Sequence, residues 1–238
     1  MNMTLDNVLI AAGGYGTRMG IYMEKLEASS KSLIKIKGKT IIEYIIDEVY
    51  PLFNHVYISI DNNVTFEVAQ NLFGLSQKIS LFKNSCPGPA CFPRQLLHVP
   101  FLFLYGHVPI TKEYIQKIIT MFTFNNSYII VSGQKSSSDR FPISAYIDSS
   151  NRVISKVLST NTKVLDKNEF FIEPPFVLLP HIVKNVSVAN APGKTNIKPL
   201  IMYTSCNQIK LLESELPVEI NYPEELSTLE KFIENNKL

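Results

Sequence analysis

Three glycines lie within four residues near the start of the chain, in the sequence Gly13-Gly14-Tyr15-Gly16-Thr17-Arg18. Glycine has no side chain to shield the backbone, so consecutive N–H groups in such a loop can approach an anion closely. The apolar segment Asn7 to Ala11 precedes the loop and has the character of a strand buried on both faces. A glycine-rich loop directly after a buried strand predicts a phosphate-binding loop.

Two common phosphate-binding patterns do not fit this loop. Thr17 and Arg18 stand where a P-loop has Gly-Lys-Ser/Thr, and Met19 occupies the third glycine position of the dinucleotide fingerprint. Asp61 is too far along the chain to be the acidic residue that follows about 20 residues after that fingerprint. A dinucleotide-binding domain is therefore disfavoured. Taken alone, the glycines could also form a tight turn after the strand without binding any ligand.

Residues 12–19, Lys31-Ser32-Leu33 and Gly38-Lys39 resemble, in order and spacing, the sugar-1-phosphate nucleotidyltransferase family, which includes the MobA-like NTP transferases. The resemblance implies that Arg18 and Lys31 neutralise charge while a sugar phosphate attacks and pyrophosphate leaves. Solvent-exposed charge is the simpler alternative for both side chains. The resemblance also assigns the triphosphate of an NTP to Ala12, Gly13, Gly14, Tyr15, Gly16 and Thr17.

Two later segments extend the resemblance. The segment Pro87-Gly88-Pro89-Ala90 looks like the family segment that lies against the base, which implies that Gly88, Pro89 and Ala90 bind nucleotide. Residues 101–110 resemble the motif Leu-Tyr-Gly-Asp-x-Pro-Leu of N-acetylglucosamine-1-phosphate uridylyltransferases and add Gly106 to the nucleotide site. His107 stands where that motif has its metal-binding aspartate.

The metal site is where the chain departs most from the family. The family's aspartate binds Mg²⁺, a hard ion that prefers oxygen ligands, so the imidazole of His107 is a poor replacement. Glu219 and Asn221 are the candidates for the second ligand, although a solvated glutamate and a turn asparagine are equally simple interpretations. The resemblance implies Mg²⁺, with Mn²⁺ as a substitute, at His107, Asn221 and Glu219, and leaves open whether this set binds it.

The elements that must position these residues follow a strand-and-helix alternation up to residue 132. This pattern predicts a doubly wound, mainly parallel central sheet, and the resemblance implies a Rossmann-like, three-layer α/β/α nucleotidyltransferase (GT-A-like) fold. Leu33 to Ile36 is interpreted as its second strand, and Thr40 with Glu43 as a capping box. A hairpin around residues 148–151 indicates a mixed C-terminal half, and residues 185–199 are interpreted as an exposed loop or a mobile lid.

Composition limits the classes of function. The chain has 238 residues, 45% apolar and 18% charged, with a net charge of +2, and its cations are scattered, so a nucleic-acid partner is not favoured. No apolar segment approaches the roughly 20 residues of a membrane span. Three cysteines and an N-terminus without the features of a signal peptide favour a cytoplasmic protein.

The sequence therefore predicts a single domain, residues 1–238, with a nucleotide-binding half (1–132) and an acceptor-binding half (133–238). The predicted reaction transfers an NMP group from an NTP to a phosphorylated small acceptor, a sugar 1-phosphate or similar, with release of pyrophosphate. It would proceed either through a metal at His107 or through Arg18 and Lys31. The alternative is a regulatory homologue that binds nucleotide without turnover, and homo-oligomer formation stays open.

Overall fold

A computed structural model describes residues 3–13, 19–83, 92–137, 142–160, 164–189, 197–214, 216–217 and 219–238. The predicted catalytic residue Arg18 lies outside the described residues. So do seven predicted nucleotide-binding residues: Gly14, Tyr15, Gly16, Thr17, Gly88, Pro89 and Ala90. In the described part of the chain, every helix is too short or too polar to cross a bilayer.

Strands and helices alternate through the first half of the chain, as predicted. Among the described residues the strands are β1 (Asn7–Ala11), β2 (Lys35–Ile36), β3 (Lys39–Thr40), β4 (His55–Ile60), β5 (Ile79–Lys83), β6 (Phe101–Tyr105), β7 (Ile129–Gln134), β8 (Ile143–Ile147), β9 (Val153–Leu158), β10 (Glu169–Leu178) and β11 (Ile209–Glu213). The α-helices are α1 (Ile21–Lys25), α2 (Ile41–Val49), α3 (Asn63–Phe73), α4 (Lys112–Phe124), α5 (Pro180–Ala189), α6 (Ile197–Tyr203) and α7 (Leu226–Asn236).

The central sheet has the strand order β11-β7-β10-β6-β1-β4-β5, with the β8–β9 hairpin attached to β10. Strands β6, β1, β4 and β5 are parallel neighbours, β11 is parallel to β7, and β10 runs antiparallel between β7 and β6. This arrangement confirms the α/β class and the mixed C-terminal half. The carboxyl ends of the parallel strands meet at one edge, where α/β proteins place their ligands.

Helix α2 begins with the capping box that the sequence predicts. Thr40 N donates to Glu43 Oε2 at 2.8 Å, and Glu43 N donates to Thr40 Oγ1 at 3.4 Å, so the predicted capping box is present. Its apolar stripe is buried in the core: Ile41, Ile42, Ile45, Ile46 and Val49. The helix therefore fixes the turn before it against the sheet.

Two predicted elements were wrong. Residues 31–33 form a 3-10 turn, and β2 pairs with β3 in a separate two-stranded sheet, so Leu33 to Ile36 is not a strand of the central sheet. A short apolar run indicates that its residues are buried, but residues of a turn can be buried as well as residues of a strand. The expected loop at 185–199 is helical at both ends, because α5 continues to Ala189 and α6 starts at Ile197, next to the buried Leu200 and Ile201.

A buried hydroxyl network links α4 to the sheet. Tyr114 Oη donates to Ser132 Oγ at 2.9 Å and lies 3.2 Å from Leu212 O, and Ser132 Oγ donates to Pro175 O at 3.1 Å. Burial raises the pKa of Tyr114 to about 12, although hydrogen bonds with Ser132 and Ser214 oppose the shift. The folded protein therefore favours the neutral phenol.

We expect Tyr114→Phe to change the alkaline stability of the protein. The raised pKa stabilises the fold below pH 10, and this contribution, about 2–3 kcal/mol, is lost as the pH rises from 10 towards 12. The variant lacks this loss and instead gives up a hydrogen bond of about 1 kcal/mol at neutral pH. Urea unfolding at pH 8 and pH 11 should show a smaller deficit at the higher pH. Tyr203→Phe, at an exposed tyrosine, is the control, and an unchanged Tyr114→Phe deficit would contradict the argument.

Candidate nucleotide-binding site

The glycine loop begins where β1 emerges between β4 and β6. Ala12 N donates to Ser59 O at 2.8 Å, and Gly106 N donates to Ala11 O at 2.8 Å, so both neighbouring strands hold the start of the loop. Ser32 Oγ donates to Ala12 O at 3.0 Å from the turn that carries Lys31. Ala12 and Gly106, two of the predicted nucleotide-binding residues, therefore lie together at the carboxyl edge of the sheet.

Asp61 lies directly against the start of this loop. A Cβ atom added to Gly13 would be 2.5 Å from Asp61 Oδ1, so the absence of a side chain at Gly13 makes room for the carboxylate. The sequence pattern brings Asp61 forward only as a possible dinucleotide-type acid and does not predict this contact with Gly13. The available signal was an acidic residue immediately after a parallel strand, at the edge where the loop also begins.

Lys31 is buried and surrounded by the late segment of the chain. Its Nζ donates to Glu219 Oε1 at 2.8 Å, to Ile220 O at 2.6 Å and to Asn221 Oδ1 at 3.2 Å. Only 7% of Lys31 is exposed, so the interpretation as a solvent-exposed charge was wrong. The structure therefore brings Lys31, a predicted catalytic residue, into contact with Glu219 and Asn221, two of the predicted metal ligands.

His107, which follows the carboxyl end of β6, contacts the same Glu219 carboxylate. Its Nε2 lies 3.0 Å from Glu219 Oε1, and its ring stacks on Tyr105 with a centroid separation of 5.4 Å. An ionised carboxylate only accepts hydrogen bonds, so His107 Nε2 carries the hydrogen and donates it. Glu219 therefore joins Lys31 and His107 through one oxygen atom.

The charge of Glu219 is strongly favoured in this setting. Burial opposes ionisation, but the hydrogen bond and charge of His107, together with the charge and hydrogen bond of Lys31, hold the pKa of Glu219 well below its usual range. The interpretation of Glu219 as a solvated residue does not fit, because its side chain is only 18% exposed. Asn221 is fully buried.

The segment that carries Glu219 and Asn221 is fixed by the chain that follows it. Asn221 N and Tyr222 N donate to Glu225 Oε2 at 2.5 Å and 2.8 Å, which closes the turn ahead of α7. Glu225 belongs to the short 3-10 helix Pro223–Glu225, with proline at its first position. This turn aims the oxygens of Glu219 and Asn221 at Lys31.

The three predicted metal ligands come together, but around an ammonium group. The oxygens of Glu219 and Asn221 both face Lys31 Nζ, and the near nitrogen of His107 carries a hydrogen. Within the described segments, no cluster of three His, Cys, Asp or Glu side chains could hold an ion. Because Glu219 Oε1 and Asn221 Oδ1 already bind the Lys31 ammonium, the residues as arranged do not fit Mg²⁺.

The expected acceptor region lies along the neighbouring strand. Residues 171–176 belong to β10, and Glu173 pairs with Ser132 of β7. Ser137 Oγ donates to Glu173 Oε1 at 2.5 Å. This carboxylate belongs to the acceptor-binding half of the chain that the sequence predicted.

Gly106→Ala should weaken nucleotide binding by displacing the backbone at the base of the glycine loop. The added Cβ would lie 2.9 Å from Ala12 Cα and 3.1 Å from Ala11 O, so backbone must move at the base of the loop. Overpacking of this kind costs about 1–3 kcal/mol, and about 1.4 kcal/mol transmitted to the loop is a tenfold loss of affinity. Calorimetric titration with NTP measures it.

Gly133→Ala is the matched control for this prediction. Its Cβ would lie 2.4 Å from the Leu211 side chain, so it strains the sheet away from the glycine loop. It should lower thermal stability while leaving nucleotide affinity near that of the wild type. Equal losses of affinity in both variants would show that general strain, rather than the base of the loop, is responsible.

Comparisons with known proteins agree with this fold. The family model of the MobA-like NTP transferase domain matches residues 8–206. The structure of the inositol-1-phosphate CTP transferase from T. maritima is similar, with a TM-score of 0.70, 13% identity, and coverage of 100% of this chain and 98% of that chain. A Bacillus anthracis protein assigned as a glucose-1-phosphate thymidylyltransferase, in complex with a sucrose, gives a TM-score of 0.68, 15% identity and coverage of 96% and 95%. No curated protein sequence matches the chain.

Proposed function

The chain belongs to the MobA-like NTP transferase domain family, and from this premise we propose that it transfers the NMP group of an NTP to a small phosphorylated acceptor. A phosphate oxygen of the acceptor attacks the α-phosphorus of the NTP. The bond from the α-phosphorus to the bridging oxygen of the β-phosphate breaks, and pyrophosphate leaves. The observation that supports this proposal is the buried Lys31, which donates hydrogen bonds to Glu219 and Asn221. Its neighbour Ser32 bonds to Ala12 at the start of the glycine loop.

The work required of the protein is mainly positioning and charge stabilisation. Negative charge builds up on the transferring and leaving phosphate oxygens, and fixed cations and N–H groups aimed at them lower the barrier. We assign this role to Lys31 and Arg18 with the backbone of residues 13–16. Glu219 and His107 act as positioning residues, because they orient the Lys31 ammonium.

A sugar 1-phosphate or a phosphorylated cyclic polyol is the acceptor class we propose. The two similar structures are those of proteins named for transfer to inositol 1-phosphate and to glucose 1-phosphate. Cytosine or thymine nucleotides are the first donors to test for the same reason. The cytoplasm is the proposed location.

The direct test follows pyrophosphate release from each NTP with inositol 1-phosphate, glucose 1-phosphate or phosphocholine. We expect acceptor-dependent pyrophosphate from at least one pair, and no release when the acceptor is omitted. Nucleotide binding without turnover across the whole panel would instead favour the regulatory alternative. His107→Asp is the companion variant: increased turnover would identify His107 as a defect, and decreased turnover would identify it as a working residue.

A further inference from the structure

We propose that the ammonium group of Lys31 takes the place of a protein-bound divalent cation in this site. The side chains that should hold the ion hold Lys31 instead, so the chain contributes its own positive charge where a metal would otherwise be bound. The inference deepens the proposed function and rests on it only for the role of that charge in the reaction.

The hydrogen-bond geometry around Lys31 carries the first step. An ammonium group has three N–H donors, and three consecutive residues provide three oxygen acceptors: Glu219 Oε1 at 2.8 Å, Ile220 O at 2.6 Å and Asn221 Oδ1 at 3.2 Å. Carboxylate, carbonyl and amide oxygens are also the donors that a hard cation prefers. These three oxygens therefore form a site suited to a cation, and the ammonium group of Lys31 occupies it.

His107 carries the second step. Its Nε2 points at Glu219 Oε1 and must carry hydrogen to make this 3.0 Å contact favourable. A protonated nitrogen cannot coordinate a metal, whereas an N–H donor stabilises the carboxylate that pairs with Lys31. Histidine in place of a second carboxylate thus suits an ammonium ion and disfavours a dication.

Charge balance gives the same answer. The one carboxylate, Glu219, already faces the Lys31 ammonium and the ring N–H of His107. The side chains of Glu219 and Lys31 are largely withdrawn from water, with exposed fractions of 18% and 9%. A divalent ion at the same oxygens would lie within a few ångströms of the ammonium, where like charges repel strongly because little water screens them. Such an ion is therefore disfavoured while Lys31 stays in place.

Binding of Mn²⁺ alone, measured by its electron paramagnetic resonance signal, tests the proposal on the full chain. We expect wild-type protein to show no Mn²⁺ site that depends on Glu219. Lys31→Ala removes the cation and leaves space, so it should gain Mn²⁺ binding. Lys31→Met fills the same space with an uncharged chain and should gain none.

Two results would overturn the proposal. One is a wild-type Mn²⁺ site that disappears in Glu219→Gln, and the other is a folded Lys31→Ala protein that binds no more Mn²⁺ than Lys31→Met. If Lys31→Ala does not fold, the comparison of wild type with Glu219→Gln still decides. If no NTP is bound or turned over under any condition, the proposed function fails while the Mn²⁺ comparison retains its meaning.

Discussion

Lys31→Met is expected to lower kcat/KM for pyrophosphate release by about 10²–10³, the usual effect of removing one preorganised charge-stabilising group. The side chain is buried, so water cannot replace its charge. Methionine keeps the length and the packing of the chain, so the loss reports charge rather than volume. Steady-state kinetics with the best NTP and acceptor pair measures the effect.

Lys35→Met is the control for this variant. Lys35 lies four residues later on β2 and is exposed, so its replacement removes the same charge from the chain without changing the site. We expect kinetic constants close to those of the wild type. If Lys31→Met retained full activity, Lys31 would be a structural residue and the assignment of charge stabilisation to it would be wrong.

Glu219→Gln should have the largest effect on folding. The substitution keeps the shape of the side chain but leaves the buried Lys31 ammonium without its counter-charge. Breaking one member of a buried ion pair costs about 3–5 kcal/mol, and we expect about 3 kcal/mol because the amide oxygen still accepts a hydrogen bond. Urea unfolding at pH 7 gives the change in free energy of unfolding.

The pH dependence of that change separates charge from packing. The pKa of Glu219 is lowered in the folded state, so its stabilisation is fully present above the ordinary value of 4.5 and is lost as the pH falls below it. The deficit of Glu219→Gln should therefore shrink between pH 7 and pH 3. A constant deficit would assign the loss to packing instead.

Glu234→Gln provides the matched exposed pair. Glu234 lies 2.8 Å from Lys37, and both side chains are about half exposed, at 50% and 58%. Water and salt screen such a pair, so its contribution to stability is small. We expect a much smaller change in unfolding free energy than at Glu219. Similar changes at the two sites would mean that burial does not strengthen the Lys31–Glu219 pair.

The local motifs were predictable because each depends on neighbouring residues. Thr40 and Glu43 form the capping box of α2, and Phe101–Tyr105 is a buried parallel strand, both as the sequence indicates. The prediction of a central strand at Leu33 to Ile36 was wrong because strand pairing depends on residues far away in the sequence. Local patterns specify burial, but β2 pairs with β3 rather than with the central sheet, and only the packing of the whole chain decides that.

The sequence by itself determined the fold class, the glycine loop after β1 and the identity of the residues that could handle phosphate and cation. Only the tertiary structure decided how those residues are used. Lys31 and Glu219 are separated by 188 positions, and His107 and Glu219 by 112. The strand ends and the turn before α7 bring them within hydrogen-bond distance. Because charges this close and this buried determine each other's state, the role of Lys31 depends on a contact that no local pattern could predict.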